Sequence, residues 1–126
     1  MKTKIGLASL VAGFLMLGSQ AAVAEGDAAK GEKIYKKCKA CHSLEAGKNK
    51  VGPSLAGIFG RTAGAEEGFK YSAAMKDSGI VWDEATMDSF LAKPKEVVPK
   101  TRMAFPGLKK EQDRMDLIAY LKEAAQ

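Results

Sequence analysis

Apolar residues recur at helical spacing in several segments of this chain, and no segment alternates apolar and polar residues over a useful length. The clearest stripe is formed by Leu117, Ile118 and Leu121 near the end of the chain. A shorter stripe, with apolar residues at positions i, i+3 and i+4, precedes Pro94. Together with N-capping and helix-ending residues, these patterns predict helices over residues 27–41, 72–77, 83–92 and 110–124. The predicted fold class is therefore all-α.

Two long segments show no periodic pattern. Residues 43–71 carry six glycines, and residues 93–109 carry three prolines. Structureless segments of this length are uncommon in a compact domain, and a domain of this size has only a limited apolar core of its own. Both features are explained if a large flat cofactor fills the middle of the domain, wrapped by loops and bracketed by helices.

The first 24 residues have the pattern of a secretory signal peptide. Lys2 and Lys4 precede an apolar run over residues 5–17, and the Ala-Val-Ala sequence that ends at Ala24 is a cleavage site. The alternative is a retained membrane anchor, but the run has 13 residues, whereas a spanning helix needs roughly 20. We therefore predict cleavage after Ala24, one domain over residues 25–126, location in the periplasm, and no stable membrane insertion after cleavage.

The charge of the chain argues against one class of partner. Removing Lys2 and Lys4 from the 20 basic residues leaves 18 against 15 acidic ones, a formal charge of +3. Nucleic-acid-binding domains usually carry a stronger basic stripe, so nucleic acid is not an expected partner. Export would also place the cysteines in an oxidising compartment, where paired thiols can persist as a disulfide.

Both cysteines and the only histidine lie in one five-residue window, Cys38-Lys39-Ala40-Cys41-His42. A C-x-x-C pair can be a redox dithiol, part of a zinc site, a disulfide or a haem attachment point. A structural zinc ion needs about four ligands, a thioredoxin-like dithiol needs strands that the pattern lacks, and a disulfide leaves His42 unexplained. Haem attachment explains all three residues, because each thiol can form a thioether with a porphyrin vinyl group while the histidine binds the iron.

The second axial ligand of such a haem is sought among the methionines, since no second histidine exists and methionine is a common partner of histidine. Two of the six methionines lie in the predicted leader. Met87 and Met115 lie on apolar helix faces, where methionine more often fills the core, and the position of Met75 is ambiguous. Met103 lies between two prolines in an irregular segment that can direct one side chain inward, so it is the favoured candidate.

Six motifs follow one another along the chain: G-D-A-A-K-G-E-K-I-Y-K-K-C-K-A-C-H, G-P-S-L-A-G-I-F-G-R, F-K-Y-S, I-V-W, K-T-R-M-A-F-P-G-L and D-L-I-A-Y-L-K. In this order they resemble class I cytochrome c, in particular the bacterial cytochromes c2 and mitochondrial cytochrome c. The resemblance implies the small cytochrome c fold, with loops and short helices around one covalently bound haem c. Gly31, Tyr35, Leu117 and Tyr120 match the crossing of the first and last helices.

The resemblance also implies roles for individual residues. Cys38 and Cys41 would form the thioether bonds. His42 would be the proximal iron ligand and Met103 the distal one, and the Pro53 carbonyl would accept a hydrogen bond from the histidine. The remaining matches surround the haem carboxylates and edges: Arg61, Tyr71, Trp82, Thr101 and Phe105.

Three positions depart from the family pattern. Phe90 stands where many members have a tyrosine near the methionine ligand, which removes one hydrogen-bond donor. Met75 stands where mitochondrial members often have an asparagine. Lys100 replaces a common loop glycine, and we expect this loop to turn without a positive φ at that residue.

The resemblance implies an electron carrier rather than an enzyme. Two protein ligands leave the iron no open position for a substrate, so we expect outer-sphere electron transfer, with the protein setting potential and access. A monomer is expected, with a cytochrome bc complex as donor and a terminal oxidase, a photosynthetic reaction centre or a peroxidase as acceptor. Basic residues near the haem would dock the acidic faces of these partners: Lys36, Lys37, Lys39, Lys93, Lys95, Lys100 and Arg102.

Two other functions remain as alternatives. One is a haem peroxidase in which the iron–methionine bond opens and a substrate reaches the iron. The other is a disulfide-bearing binding module that carries no haem.

Overall fold

The computed structural model describes residues 26–126, together with Met1 and Gly13. Apart from these two positions, the predicted leader lies outside the described residues, and its cleavage stays a prediction. The helices are α1 (Ala28–Tyr35), α2 (Ala73–Lys76), α3 (Glu84–Ala92), α4 (Pro94–Val97) and α5 (Glu111–Ala124). Residues 26–126 contain no strand, only an isolated bridge between Thr62 and Val81, so the all-α prediction is confirmed. None of the helices in this range is long and apolar enough to cross a membrane.

Helix α1 begins where its capping residue predicts, but it ends earlier. The Asp27 side chain accepts hydrogen bonds from the backbone N–H groups of Ala29 and Lys30, at 2.9 and 3.2 Å. Regular helix was expected to about residue 41 and instead ends at Tyr35. The next amides, those of residues 36–38, donate to carbonyls three residues back, and such bonds tighten the last turn of a helix.

Helices α1 and α5 cross in close contact. At Gly31 an added Cβ would overlap the backbone carbonyl of Asp116, so only glycine lets the two backbones approach this closely. Leu117 is fully buried beneath the crossing, and the rings of Tyr35 and Tyr120 lie 5.5 Å apart. The crossing predicted from the family motifs is therefore confirmed.

Helix α3 is followed directly by a second, shorter helix that the sequence did not predict. Asp83 and Thr86 form a capping box at the start of α3. Pro94 was expected only to end α3 and to open an irregular segment. It also occupies the first turn of α4, where its fixed φ suits a helix and its missing N–H is not needed.

The expectation that Lys100 avoids a positive φ is wrong. Lys100 has φ 65°, the only positive φ among the described residues other than glycine. The Thr101 N–H donates to the Val98 carbonyl at 3.0 Å, which closes a four-residue turn with Pro99 and Lys100 at its centre. Proline suits the first central position of both type I and type II turns, and the positive φ at the second position is the mark of type II. The lysine therefore adopts a backbone conformation that favours glycine.

Backbone hydrogen bonds join the glycine-rich irregular segment to the residues just before α3. Gly60 N–H donates to the Trp82 carbonyl at 2.7 Å, and Trp82 N–H donates to the Arg61 carbonyl at 3.0 Å. These bonds fix Arg61 beside Trp82, although the two residues are 21 positions apart in the sequence. In this part of the molecule, loop residues satisfy each other's backbone groups without forming a strand or a long helix.

Candidate cofactor site

The middle of the molecule holds a cavity of about 650 Å³, within the range of small-molecule and cofactor sites. Its walls are mainly apolar, with Leu55, Ile58 and Phe90 among the lining side chains. The structure brings to this one cavity every residue that the motifs connect with a cofactor: Cys38, Cys41, His42, Pro53, Arg61, Tyr71, Trp82, Thr101, Met103 and Phe105.

The cysteine window forms a single hydrogen-bonded turn on one wall of the cavity. The backbone N–H groups of Cys41 and His42 both donate to the Cys38 carbonyl, at 3.0 and 2.9 Å. Both thiols are free and both line the cavity, with Cys38 half-buried and Cys41 exposed. Burial, and secondarily the neighbouring Cys41, raise the pKa of the Cys38 thiol. Two thiols one turn apart are spaced to bond two points on the edge of a single flat group.

His42 is oriented by the backbone that follows the window. Its Nδ1 lies 2.8 Å from the Pro53 carbonyl oxygen, which can only accept, so Nδ1 carries the proton. Nε2 is left with its lone pair. Burial lowers the pKa of His42 and outweighs the Pro53 hydrogen bond, which raises it. The imidazole is therefore neutral at pH 7, the form in which histidine binds a metal.

Gly52 shapes this histidine pocket, a role that the spacing of the motifs did not reveal. An added Cβ at Gly52 would overlap the imidazole ring of His42. The Gly52 N–H also donates to the Cys41 carbonyl at 2.8 Å, which joins the glycine to the cysteine turn. Gly52 and Pro53 thus fix the ring from two directions, one by leaving space and one by accepting a hydrogen bond.

Three methionines line the cavity, and Met103 alone of the three lies outside a helix. Met75 belongs to α2 and Met87 to α3, whereas Met115 does not reach the cavity wall. The Met103 N–H donates to the Thr101 hydroxyl at 3.3 Å, which stiffens the loop just before the sulfur-bearing side chain. The cavity can therefore offer a thioether sulfur as well as an imidazole nitrogen.

A polar cluster forms another part of the cavity wall. The Arg61 guanidinium donates to the backbone carbonyls of Ser54 and Ala56, at 2.9 and 3.1 Å, and to the Glu66 carboxylate at 2.8 Å. The Tyr71 hydroxyl accepts from the Glu66 N–H at 3.3 Å. Arg61 and Tyr71 were expected here, while Ser54 and Glu66 were not, because nothing in their spacing distinguishes them from ordinary loop residues.

Asn49 links the two loops that carry this cluster, and it too was missed. Its amide nitrogen donates to the Glu67 carbonyl at 3.0 Å, and its amide oxygen accepts from the Ser54 N–H at 2.9 Å. Ser54 is fully buried, and its hydroxyl donates to the Glu45 carbonyl at 2.6 Å. These side chains satisfy backbone groups where no helix or strand is present to pair them.

All of the basic residues proposed for docking are exposed. Lys37 and Arg102 also line the rim of the cavity, and they come from two segments that are far apart in the sequence. Lys93 pairs with Glu96 at 3.5 Å, which offsets part of its charge. Val51 lies on the same rim with a relative exposure of 79%, so the mouth of the cavity combines an apolar residue with positive charges.

A family model described as "Cytochrome c" matches residues 28–125, nearly the whole of the described chain. This chain belongs to the cytochrome c family. Cytochrome c2 from Rhodomicrobium vannielii is 50% identical over 110 residues, which cover 86% of this chain and 88% of that protein. Cytochrome c from Sesamum indicum is 52% identical over 101 residues, which cover 79% of this chain and 91% of that protein.

A solved structure agrees with these relatives. Cytochrome cH from Methylobacterium extorquens superposes with a TM-score of 0.73 and 48% sequence identity, covering 78% of this chain and 99% of that one. The cytochrome c fold predicted from the sequence is confirmed. Members of the cytochrome c family are electron carriers with one covalent haem c, and this chain is accordingly a haem electron carrier and not an enzyme. Family membership thus disfavours both the peroxidase and the haem-free binding module.

The residues around the cavity fit a haem. Two thiols, a neutral imidazole with a free Nε2 and a thioether sulfur are the donors that such a group needs. The apolar walls suit a porphyrin, and Arg61 and Tyr71 line the same cavity with N–H and O–H groups that its carboxylates would accept from. The described residues contain no group of three or more His, Cys, Asp and Glu side chains that could hold a metal ion by themselves.

Proposed function

We propose that this cytochrome c carries single electrons between redox proteins in the periplasm, with its haem held by Cys38, Cys41, His42 and Met103. The haem supplies a one-electron Fe(III)/Fe(II) couple. The observation that carries the proposal is the convergence of these four side chains on one mainly apolar cavity.

Each part of the cavity has a task in this proposal. Cys38 and Cys41 fix the haem covalently, and the Pro53 carbonyl keeps the His42 ring in one orientation and one tautomer. Met103 would supply the second protein ligand to the iron, which would leave no open position for a substrate. The apolar walls and a methionine ligand both favour the reduced state, so the reduction potential should be positive.

The ligand assignment is tested by optical spectra of the exported protein, oxidised and reduced, and after denaturing extraction. Covalent haem stays with the protein on extraction. A weak long-wavelength band in the oxidised spectrum reports the iron–methionine bond, and Met103→Ala should abolish that band. Met75→Leu and Met87→Leu are the matched controls, because both residues line the same cavity, and both variants should keep it.

Different spectra would contradict different parts of the proposal. Retention of the band in Met103→Ala, with loss in Met75→Leu or Met87→Leu, would assign the sulfur to another methionine. Absence of covalent haem from the wild-type protein would refute the proposed function itself.

The proposed partners are a cytochrome bc complex as donor and a terminal oxidase, a photosynthetic reaction centre or a peroxidase as acceptor. The exposed basic residues at the cavity rim support the proposal that these partners dock through acidic surfaces. Opposite charges raise the association rate more than the affinity, so the complex can still separate quickly. We further propose that the carrier is a monomer, which sedimentation at micromolar concentration tests. A stable dimer would contradict this.

The proposed location rests on the leader pattern and on the cytochrome c2 relatives. Recovery from the periplasmic fraction with Glu25 as first residue is the expected result. A haem-containing protein that remains in the membrane fraction with residues 1–24 intact would show an anchored carrier instead.

A further inference from the structure

Arg61 is held at the cavity wall in a way that leaves part of its guanidinium available. Its Nη1 donates to the Ala56 carbonyl and the Glu66 carboxylate, and its Nη2 donates to the Ser54 carbonyl. A guanidinium has five N–H groups. Three acceptors therefore leave two N–H groups for an anionic group inside the cavity.

Glu66 does not line the cavity, yet it is built into the same cluster. The Arg61 and Glu66 side chains are only 14% and 16% exposed. Among the ion pairs of residues 26–126, this is the only one with both partners so well covered, because each of the others has at least one side chain 41% exposed or more. The Glu66 backbone also donates to the Tyr71 hydroxyl, so side chain and backbone are both engaged.

We propose that Glu66 is a positioning residue that lowers the reduction potential of the haem by offsetting the positive charge of Arg61. The inference rests on the proposed function, since it requires a haem in the cavity. Oxidised iron carries one more positive charge than reduced iron. A cation beside the cavity therefore favours the reduced state, and a carboxylate paired with that cation weakens its effect. Because the pair is shielded from water, its charges are screened less than those of surface pairs.

The pair also determines how much positive charge remains for the haem carboxylates. With Glu66 ionised, the Arg61–Glu66 pair has no net charge, and an added carboxylate makes the cluster negative. With glutamine at position 66, the same carboxylate would meet an uncompensated guanidinium. Both effects raise the potential when the Glu66 charge is removed.

The test is the midpoint potential of the holoprotein, measured by spectroelectrochemistry. Glu66→Gln keeps the size of the side chain and an oxygen that can accept from Arg61, but it removes the charge, and the potential should shift upward. The matched control is Glu67→Gln, which removes the same charge from the next residue. The Glu67 side chain is exposed and forms no ion pair within the described chain, so its shift should be clearly smaller.

Glu66→Asp separates charge from packing, because it shortens the side chain and retains the carboxylate. Its potential should stay nearer to the wild-type value than that of Glu66→Gln. Equal shifts in Glu66→Gln and Glu67→Gln, no shift in Glu66→Gln, or the same shift in Glu66→Asp as in Glu66→Gln would each overturn the inference. A wild-type protein with no covalent haem would show no redox couple at all, and that outcome refutes the proposed function as well.

Discussion

Lys100 has a strained backbone conformation three residues before Met103, the candidate methionine ligand. Its φ of 65° places a side chain where glycine is favoured, and the turn bond between Thr101 N–H and the Val98 carbonyl maintains it. The left-handed conformation costs a residue with a side chain roughly 1–2 kcal/mol. Glycine avoids that cost but loses about 0.5–1 kcal/mol more conformational entropy on folding.

Lys100→Gly should therefore stabilise the holoprotein, by about 0.5 kcal/mol after the two terms are combined. Urea unfolding, followed by the haem absorbance, measures the change. Lys109→Gly is the control, because Lys109 is also an exposed loop lysine but does not have a positive φ. It should lose about 0.5–1 kcal/mol, since it gains only flexibility. A loss of stability in Lys100→Gly equal to that in the control would show that the turn is unstrained.

At the scale of the elements, the buried Asp116 carboxylate joins the first helix to the last. It accepts from the Asp27 N–H at 2.8 Å and from the Gln112 side chain at 2.9 Å. The backbone hydrogen bond from Asp27, followed by that from Gln112, lowers the pKa of Asp116 below its usual value of 3.8. Since the folded-state pKa is the lower one, this carboxylate contributes its full stabilisation above its usual pKa of 3.8. That contribution is lost as the pH falls through the folded-state pKa.

Asp116→Asn should consequently lower the free energy of unfolding most at neutral pH, with the difference from wild type shrinking as the pH falls below 3.8. Thermal unfolding of both holoproteins between pH 2.5 and 7, roughly the window that the linkage covers, gives the profile. Asp113→Asn, on the same helix, removes a charge that accepts neither of these hydrogen bonds, so it should lower the free energy of unfolding less. A difference between Asp116→Asn and wild type that does not change with pH would rule out a role for the Asp116 charge.

The elements that the sequence predicts well are those with local chemical signals. Asp27, Ser72 and Asp83 each cap the helix that was expected after them, because a side-chain oxygen satisfies amides within the next few residues. Helix α4 was missed because a proline is typical both of the position after one helix and of the first turn of another.

The candidate site divides in the same way. The cysteine window is predictable because its residues are adjacent in sequence. Haem attachment is the one interpretation of their spacing that explains both cysteines and the histidine. The Glu66 pair and the space at Gly52 depend on residues that meet only after loops close. The φ of Lys100 was wrongly predicted because residue identity was weighed without the turn that the Thr101-to-Val98 hydrogen bond closes.

At the scale of the whole molecule, function depends on where the charge lies relative to the cavity mouth. Lys37 is exposed on the rim, and it makes no ion pair among the described residues. Lys110 is also exposed but does not line the cavity. Oriented charge raises association rates most when it surrounds the contact surface, and at about 0.1 M salt exposed charges more than about 10 Å apart are largely screened from each other.

Lys37→Glu should slow electron transfer to an acidic redox partner by about threefold or more at low salt, and much less at 0.5 M salt, where screening dominates. Stopped-flow oxidation of the reduced protein measures the rate. Lys110→Glu changes the net charge by the same amount and should have a smaller effect. Equal slowing by both variants would mean that net charge, and not a docking surface, controls the encounter.

The crossing of α1 and α5 also limits when the domain can fold during synthesis. The hydrogen bond from Asp27 to Asp116 joins residues that are 89 positions apart, so α1 is synthesised long before its partner helix. An eight-residue helix is unstable alone in water. Until α5 has been synthesised, the turn that follows α1 cannot be packed into the domain, and both thiols stay accessible. The separation of the two helices along the chain therefore leaves an interval in which both thiols are open to modification before the domain folds around them.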